Sequence, residues 1–181
     1  ASLKGSMPFL HFFDGFRTSH EMQKVAVWDY DELKSMADMD AVAAFRAKAN
    51  NPAHPHLKGS AQNGDIFFQV REASNKKYQE LPEVVESYMN VVNEKLGTDY
   101  KLFNYYGAAD AEYVLVGMGS MCEAAEEVVD YLCAQGEKVG LIKVHLYRPF
   151  SVKHMLQVLP KSVKAIGVLD RTKEPGALGE P

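Results

Sequence analysis

Apolar and polar positions between residues 111 and 170 fall into blocks with two different periods. Residues 111–116, 139–147 and 163–169 are short, nearly unbroken apolar runs, the pattern of strands covered on both faces of a parallel sheet. Between the first two, Met121, Ala124, Ala125, Val128, Val129, Leu132 and Cys133 recur at intervals of three and four. That spacing predicts an amphipathic helix packed on the sheet and closed by Gly136. Residues 151–159 predict a second helix, stopped by Pro160. The order β-α-β-α-β implies right-handed crossovers with helices on both faces. It also places the C-terminal strand ends, where such sheets meet ligands and partners, at 117–120, 147–150 and 170–174.

Upstream, residues 81–96 predict a helix with Pro82 in its first turn, a stripe of Val84, Val85, Tyr88, Val91 and Val92, and Gly97 as the stop. Residues 100–106 offer an additional strand. Asn51-Pro52, His54-Pro55, Lys58-Gly59 and Asn63-Gly64 crowd turn formers into residues 50–75, which predicts an extended connector between domains. Before it lie an Ala-rich helix at 40–49 and an apolar strand at 8–13. That strand delivers Asp14-Gly15-Phe16-Arg17-Thr18-Ser19-His20-Glu21, where Thr18 and Glu21 fit a capping box for a following helix. The expected class is α/β, with a mostly parallel sheet at 81–181, a strand-helix remnant of another domain at 1–49 and a linker at 50–80.

The chain has 181 residues, 46% of them hydrophobic, enough for one core with an appendage or for two small units. A net charge of -4 with scattered Lys and Arg argues against a general nucleic-acid binder or an anionic-membrane role. No apolar run approaches the roughly 20 residues of a spanning helix, and residues 1–6 lack the apolar stretch of a signal peptide, so a cytoplasmic setting is expected. Cys122 and Cys133 share one predicted helix but stand about 16 Å apart along its axis. They cannot bridge each other or ligate one metal, and read as small core residues.

Gly117-Met118-Gly119-Ser120, after a strand and before a helix, invites a dinucleotide-binding reading in which pyrophosphate sits on helix N–H groups. Cys122 stands where a third Gly or Ala is needed, and Leu146-Tyr147-Arg148 ends the next strand without a ribose-binding acid. A second capping box, Ser120 with Glu123, explains the same residues structurally. His54 and His56 flank Pro55 without a third ligand, and no Gly-x-Ser-x-Gly turn supports a serine nucleophile. Arg17 reads as an interdomain ion-pairing group. The last strand runs into Asp170-Arg171-Thr172-Lys173-Glu174-Pro175 and the chain soon stops, which reads as a truncation. At that tip Arg171 and Lys173, oriented by Asp170, serve either an anion or cofactor or, the preferred reading, a charged contact to a neighbouring domain.

The runs Phe12-Phe13-Asp14-Gly15-Phe16-Arg17-Thr18-Ser19-His20-Glu21, Asn51-Pro52-Ala53-His54-Pro55, Leu146-Tyr147-Arg148-Pro149-Phe150 and Leu169-Asp170-Arg171-Thr172-Lys173-Glu174-Pro175-Gly176 closely resemble the pyruvate:ferredoxin (flavodoxin) oxidoreductases, or pyruvate synthases. The resemblance spans essentially the whole chain. It implies a segment covering the end of a pyrimidine-binding domain, a linker and most of a transketolase C-terminal-like domain. In the intact enzyme it implies thiamine diphosphate, magnesium and iron-sulfur clusters, with pyruvate, coenzyme A and ferredoxin or flavodoxin as partners. A homodimer in the cytoplasm, or in the hydrogenosome of an anaerobic eukaryote, is implied too. No catalytic, cofactor-binding or metal-ligating residue of the family carries over to this segment. The expected role is therefore a scaffold, with Arg17, Arg148, Asp170, Arg171, Lys173 and Glu174 as candidate interdomain contacts. The alternatives are another 2-oxoacid:ferredoxin oxidoreductase and an independent nucleotide-binding module built on 117–120.

Overall fold

The computed structural model describes residues 1–55, 57, 59 and 61–170. The chain divides into two compact units, Ala1–Leu10 with Lys24–Val92, and His11–Gln23 with Asn93–Pro181.

Helices make up the first unit. α1 (Ser2–Gly5) opens the chain, α2 (Arg17–His20) belongs to the second unit, and α3 (Tyr30–Met36), α4 (Met39–Ala47), α5 (Phe67–Ala73) and α6 (Asn75–Leu96) follow. α3 starts at a capping box. The Glu32 amide donates to Asp29 Oδ1 at 2.8 Å and the Asp29 amide to Glu32 Oε2 at 3.3 Å, so two first-turn donors find partners. Asp38 caps α4, its Oδ1 accepting from the Ala41 amide at 2.8 Å. Its Oδ2 accepts from the Tyr88 hydroxyl at 2.9 Å and lies 3.6 Å from Lys4 Nζ. One carboxylate thus ties together α1, α4 and α6.

The bond from the Ala41 amide, then that from Tyr88, holds the Asp38 carboxyl below its ordinary pKa, and Lys4 adds to the effect. A carboxyl whose pKa is lower folded than unfolded contributes stability that is complete above the unfolded value and is lost as pH falls through the folded one. Asp38→Ala should therefore lower the urea midpoint at neutral pH. The gap from wild type should close as pH drops below the ordinary aspartate value, about 3.9. A gap independent of pH between 7 and 2 would contradict this account.

Several local expectations need correction. Residues 8–13 form no strand; Leu10, Phe12 and Phe13 are 93%, 63% and 77% exposed. Apolar residues favour a strand only where another strand takes up their backbone groups, and no described strand pairs with them. Glu21 ends α2 instead of serving a capping box with Thr18, because a helix of one turn leaves no room for both ends. The predicted extended connector is helical from Phe67. Its turn formers close the Asn51–His54 turn, where the His54 amide donates to Asn51 O at 2.9 Å, and make the turn that leads into α5, where the Asn63 carbonyl accepts from the Phe67 amide at 2.9 Å. Pro82 consequently lies inside α6. The preceding Asn-Lys-Lys-Tyr-Gln-Glu is rich in good helix formers and gains a Lys76–Glu80 pair at 3.9 Å, so the helix extends back past the proline.

In the second unit, β1 (Phe103–Gly107), β2 (Tyr113–Gly117), β3 (Val139–Val144) and β4 (Ala165–Val168) form one sheet in the order β1-β3-β2-β4. β2 runs parallel to β3 and to β4, and β1 is antiparallel to β3. α7 (Met121–Ala134) joins β2 to β3, and α8 (Val152–Val158) joins β3 to β4. The expected mixed α/β architecture with a mostly parallel sheet is present.

Pairing sets Tyr106, Leu141 and Leu115 in one row across the sheet. α7 covers that row with Cys122, Ala125 and Val129, around a Leu141 with no exposed surface. Tyr106 reinforces the contact by donating its hydroxyl to Asp130 of α7 at 2.8 Å. The helix is turned relative to its predicted stripe, for Val128 is 55% exposed. The opposite face carries the fully buried Phe103 and Ile142, since neighbouring strand residues point to opposite sides. There the Phe150 ring meets Phe103 edge-on at 5.1 Å, and α8, which follows it, packs against β1. β4 differs from its prediction: all four residues are exposed, because β2 alone flanks it and neither α7 nor α8 packs closely on it.

Candidate functional site at the strand ends

Because β2, β3 and β4 are parallel, their C-terminal ends lie along one edge of the sheet. The β2–α7 turn is the best-defined part of that edge. Gly119 adopts φ +78, a conformation that side chains disfavour. The Asp14 carboxylate fills the space beside it: Asp14 Oδ2 accepts from the Ser120 amide at 2.6 Å, and a Cβ on Gly119 would stand 2.6 Å from the same oxygen.

The predicted Ser120–Glu123 capping box is absent. Ser120 already has helical dihedrals, φ -62 and ψ -21, and makes no side-chain cap bond. A capping serine needs extended dihedrals to aim its hydroxyl at the first-turn amides. An amide at the positive end of α7 is instead served by a carboxylate 106 residues away in sequence.

Around this turn the chemistry is structural. Lys143, paired in register with Gly117, reaches Glu126 of α7. Burial pushes the Cys122 thiol above its ordinary pKa, with Lys143 pulling only partly against it, so Cys122 acts as a core residue and not as a thiolate. Cys122 and Cys133 are both free thiols. At the start of α8 the Ser151 hydroxyl lies 2.6 Å from Nδ1 of the buried His154. With Ser151 at the N-cap, the pair fixes the helix start.

Arg148 follows β3, and its guanidinium lies over the Tyr147 ring, 5.2 Å from the centroid. Asp170 follows β4 on the same edge and is exposed. Arg17 is exposed on α2, three residues beyond Asp14. Arg171, Lys173 and Glu174 lie outside the described residues, as does His56. Asp14 is the residue whose role sequence reasoning missed. Its Asp-Gly step reads as a turn, and no local pattern announces an acceptor for a distant helix.

Among the described residues no group of three or more His, Cys, Asp or Glu side chains could hold a metal ion, and no helix is long and apolar enough to cross a membrane. A diphosphate calls for a cation site or a free helix N-terminus, and the α7 terminus, which holds Asp14, does not fit one.

Comparison with known proteins finds two family models that match successive parts of the chain. Residues 1–90 match the family model described as pyruvate flavodoxin/ferredoxin oxidoreductase, thiamine diP-bdg, and residues 111–180 match the model of pyruvate:ferredoxin oxidoreductase core domain II. The chain belongs to the pyruvate flavodoxin/ferredoxin oxidoreductase family. A pyruvate-flavodoxin oxidoreductase of Enterobacter agglomerans is 60% identical over 180 residues, covering 99% of this chain and 15% of the relative. The pyruvate:ferredoxin oxidoreductase of Moorella thermoacetica is 59% identical over 181 residues, covering 100% of this chain and 16% of the relative. The chain thus spans about 15% of the length of these relatives. A solved 2-oxoglutarate:ferredoxin oxidoreductase from Magnetococcus marinus aligns with 65% of this chain, and 20% of its own, at a TM-score of 0.41 and 17% identity, too slight a likeness to carry an argument.

Proposed function

We propose that this chain is a scaffold segment of a pyruvate:ferredoxin oxidoreductase. The supporting observation is the ordered match of two family models along the chain, with relatives about 60% identical from end to end. In the intact enzyme pyruvate and coenzyme A would give acetyl-CoA, carbon dioxide and a proton, with an electron pair passing to ferredoxin or flavodoxin. Thiamine diphosphate with magnesium would supply the decarboxylation chemistry, and iron-sulfur clusters the electron path. This segment contributes no ligand to them in the proposal. Its parts are the end of the pyrimidine-binding domain at 1–49, a linker at 50–80 and a transketolase C-terminal-like domain at 81–181, in a cytoplasmic homodimer.

Arg17, Arg148, Asp170, Arg171, Lys173 and Glu174 are proposed to contact other domains or the dimer partner. Strand-end position and charge support that role for Arg148 and Asp170, and charge and place in the sequence support it for Arg171, Lys173 and Glu174. The test is pyruvate- and coenzyme A-dependent reduction of ferredoxin or flavodoxin by the intact polypeptide. We expect reduction with pyruvate and, in Arg171→Ala, weakened assembly or turnover. Reduction with 2-oxoglutarate but not with pyruvate would overturn the substrate, and an Arg171→Ala enzyme with wild-type assembly and turnover would overturn the contact.

A further inference from the structure

We propose that Asp14 is a latch, an internal ligand that fastens segment His11–Gln23 onto the β2–α7 turn and fixes the start of α7. The proposal goes beyond the scaffold role and does not depend on which oxidoreductase the chain serves.

Three observations converge on it. First, Asp14 Oδ2 accepts the Ser120 N–H at 2.6 Å across 106 residues of sequence, and a carboxylate at that end of a helix is favoured by the helix dipole as well as by the bond. Second, the turn is shaped to receive it. Gly119 sits at φ +78, and any Cβ there would stand 2.6 Å from Asp14 Oδ2 and 3.4 Å from its carboxyl carbon. Third, α7 has no side-chain cap of its own, because Ser120 is already helical.

The segment that carries Asp14 needs such a fastening. It contains one helix, the four residues of α2, and it forms no strand. Phe12, Phe13, Phe16 and Met22 are largely exposed, so burial contributes little to holding it. Yet His11–Gln23 groups with the sheet unit and not with the helical unit that flanks it in sequence on both sides. The Asp14–Ser120 bond is a specific reason for that assignment.

Hydrogen exchange of the intact polypeptide tests the latch. In Asp14→Asn, which keeps the shape and removes the charge, and in Asp14→Ala, peptides spanning 11–23 and 117–124 should exchange about tenfold faster. Peptides over β1 and β3 should stay within about twofold of wild type, tenfold corresponding to about 1.4 kcal/mol of local opening. Unchanged exchange in both 11–23 and 117–124 would overturn the proposal. If Asp14→Ala loosens the whole protein, a double-mutant cycle with Gly119→Ala decides. The melting-temperature loss caused by Gly119→Ala should shrink when Asp14 has already been cut to Ala, because the new methyl then meets no carboxylate. Strictly additive losses would show that the two residues do not interact and would overturn the latch.

Discussion

Gly107→Ala should be among the most damaging single substitutions in the sheet unit, costing about 3 kcal/mol. Gly107 ends β1 at φ +120, a conformation nearly closed to residues with a Cβ, which by itself costs about 1–3 kcal/mol. The added methyl would also stand 2.7 Å from Val139 O, 2.8 Å from Gly140 Cα and 2.9 Å from Val129 Cγ1. Two of these neighbours are backbone atoms of β3, one of them in Gly140, which pairs in register with Gly107 itself. They cannot turn aside as a flexible side chain would, so β1 must pull away from β3 or α7 must lift from the sheet. Urea denaturation followed by circular dichroism should show a lower midpoint with an unchanged slope. A loss under about 0.5 kcal/mol, the range of ordinary surface changes, would mean that the β1–β3 junction has more room than these distances allow.

Leu141→Ala should cost about 2–5 kcal/mol through a different mechanism, the removal of a buried side chain and the cavity it leaves. Leu141 has no exposed surface and stands at the centre of the α7 core with Cys122, Ala125 and Val129. Leu115, Tyr106 and Val139 border it from the strands. Residues anchored in a sheet move little to close such a gap, which favours the upper half of the range. Leu141→Met, which nearly conserves volume, should stay under about 1.5 kcal/mol. Equal losses for the two variants would show that the site tolerates collapse and that its packing is looser than the burial indicates.

Sequence pattern and structure agree where local chemistry and tertiary contact ask for the same thing. β2, β3, α7 and α8 lie within a few residues of their predicted positions, because continuous apolar runs and a 3.6-residue stripe need only a facing surface to settle. Which line of α7 meets the sheet was not legible. Ala124 and Val128 are as apolar as their neighbours Ala125 and Val129, and the row of Tyr106, Leu141 and Leu115 selects the second pair. At residues 8–13 the apolar run predicted a strand that the structure does not contain. A strand is a relation between two segments, and one segment cannot specify its partner.

The chain's family was equally legible in sequence. The Phe-Phe-Asp-Gly-Phe-Arg-Thr-Ser-His-Glu run and the strand-end runs around Arg148 and Asp170 carried the resemblance, and the matches over 1–90 and 111–180 bear it out. What that first run does physically was hidden. Asp14 reads as half of an Asp-Gly turn until the fold brings Gly119 and Ser120 to its carboxylate.

By itself, then, the sequence determined the α/β class, the strand and helix blocks of the sheet unit and the family, since each rests on periodicity or on contiguous residues. Tertiary structure alone decided the antiparallel placing of β1, the exposed face of β4, the side of α7 that is buried and the acceptor at the α7 N-terminus. Each of these depends on groups far apart in the chain, and their meeting is set by how the whole unit packs rather than by any local preference.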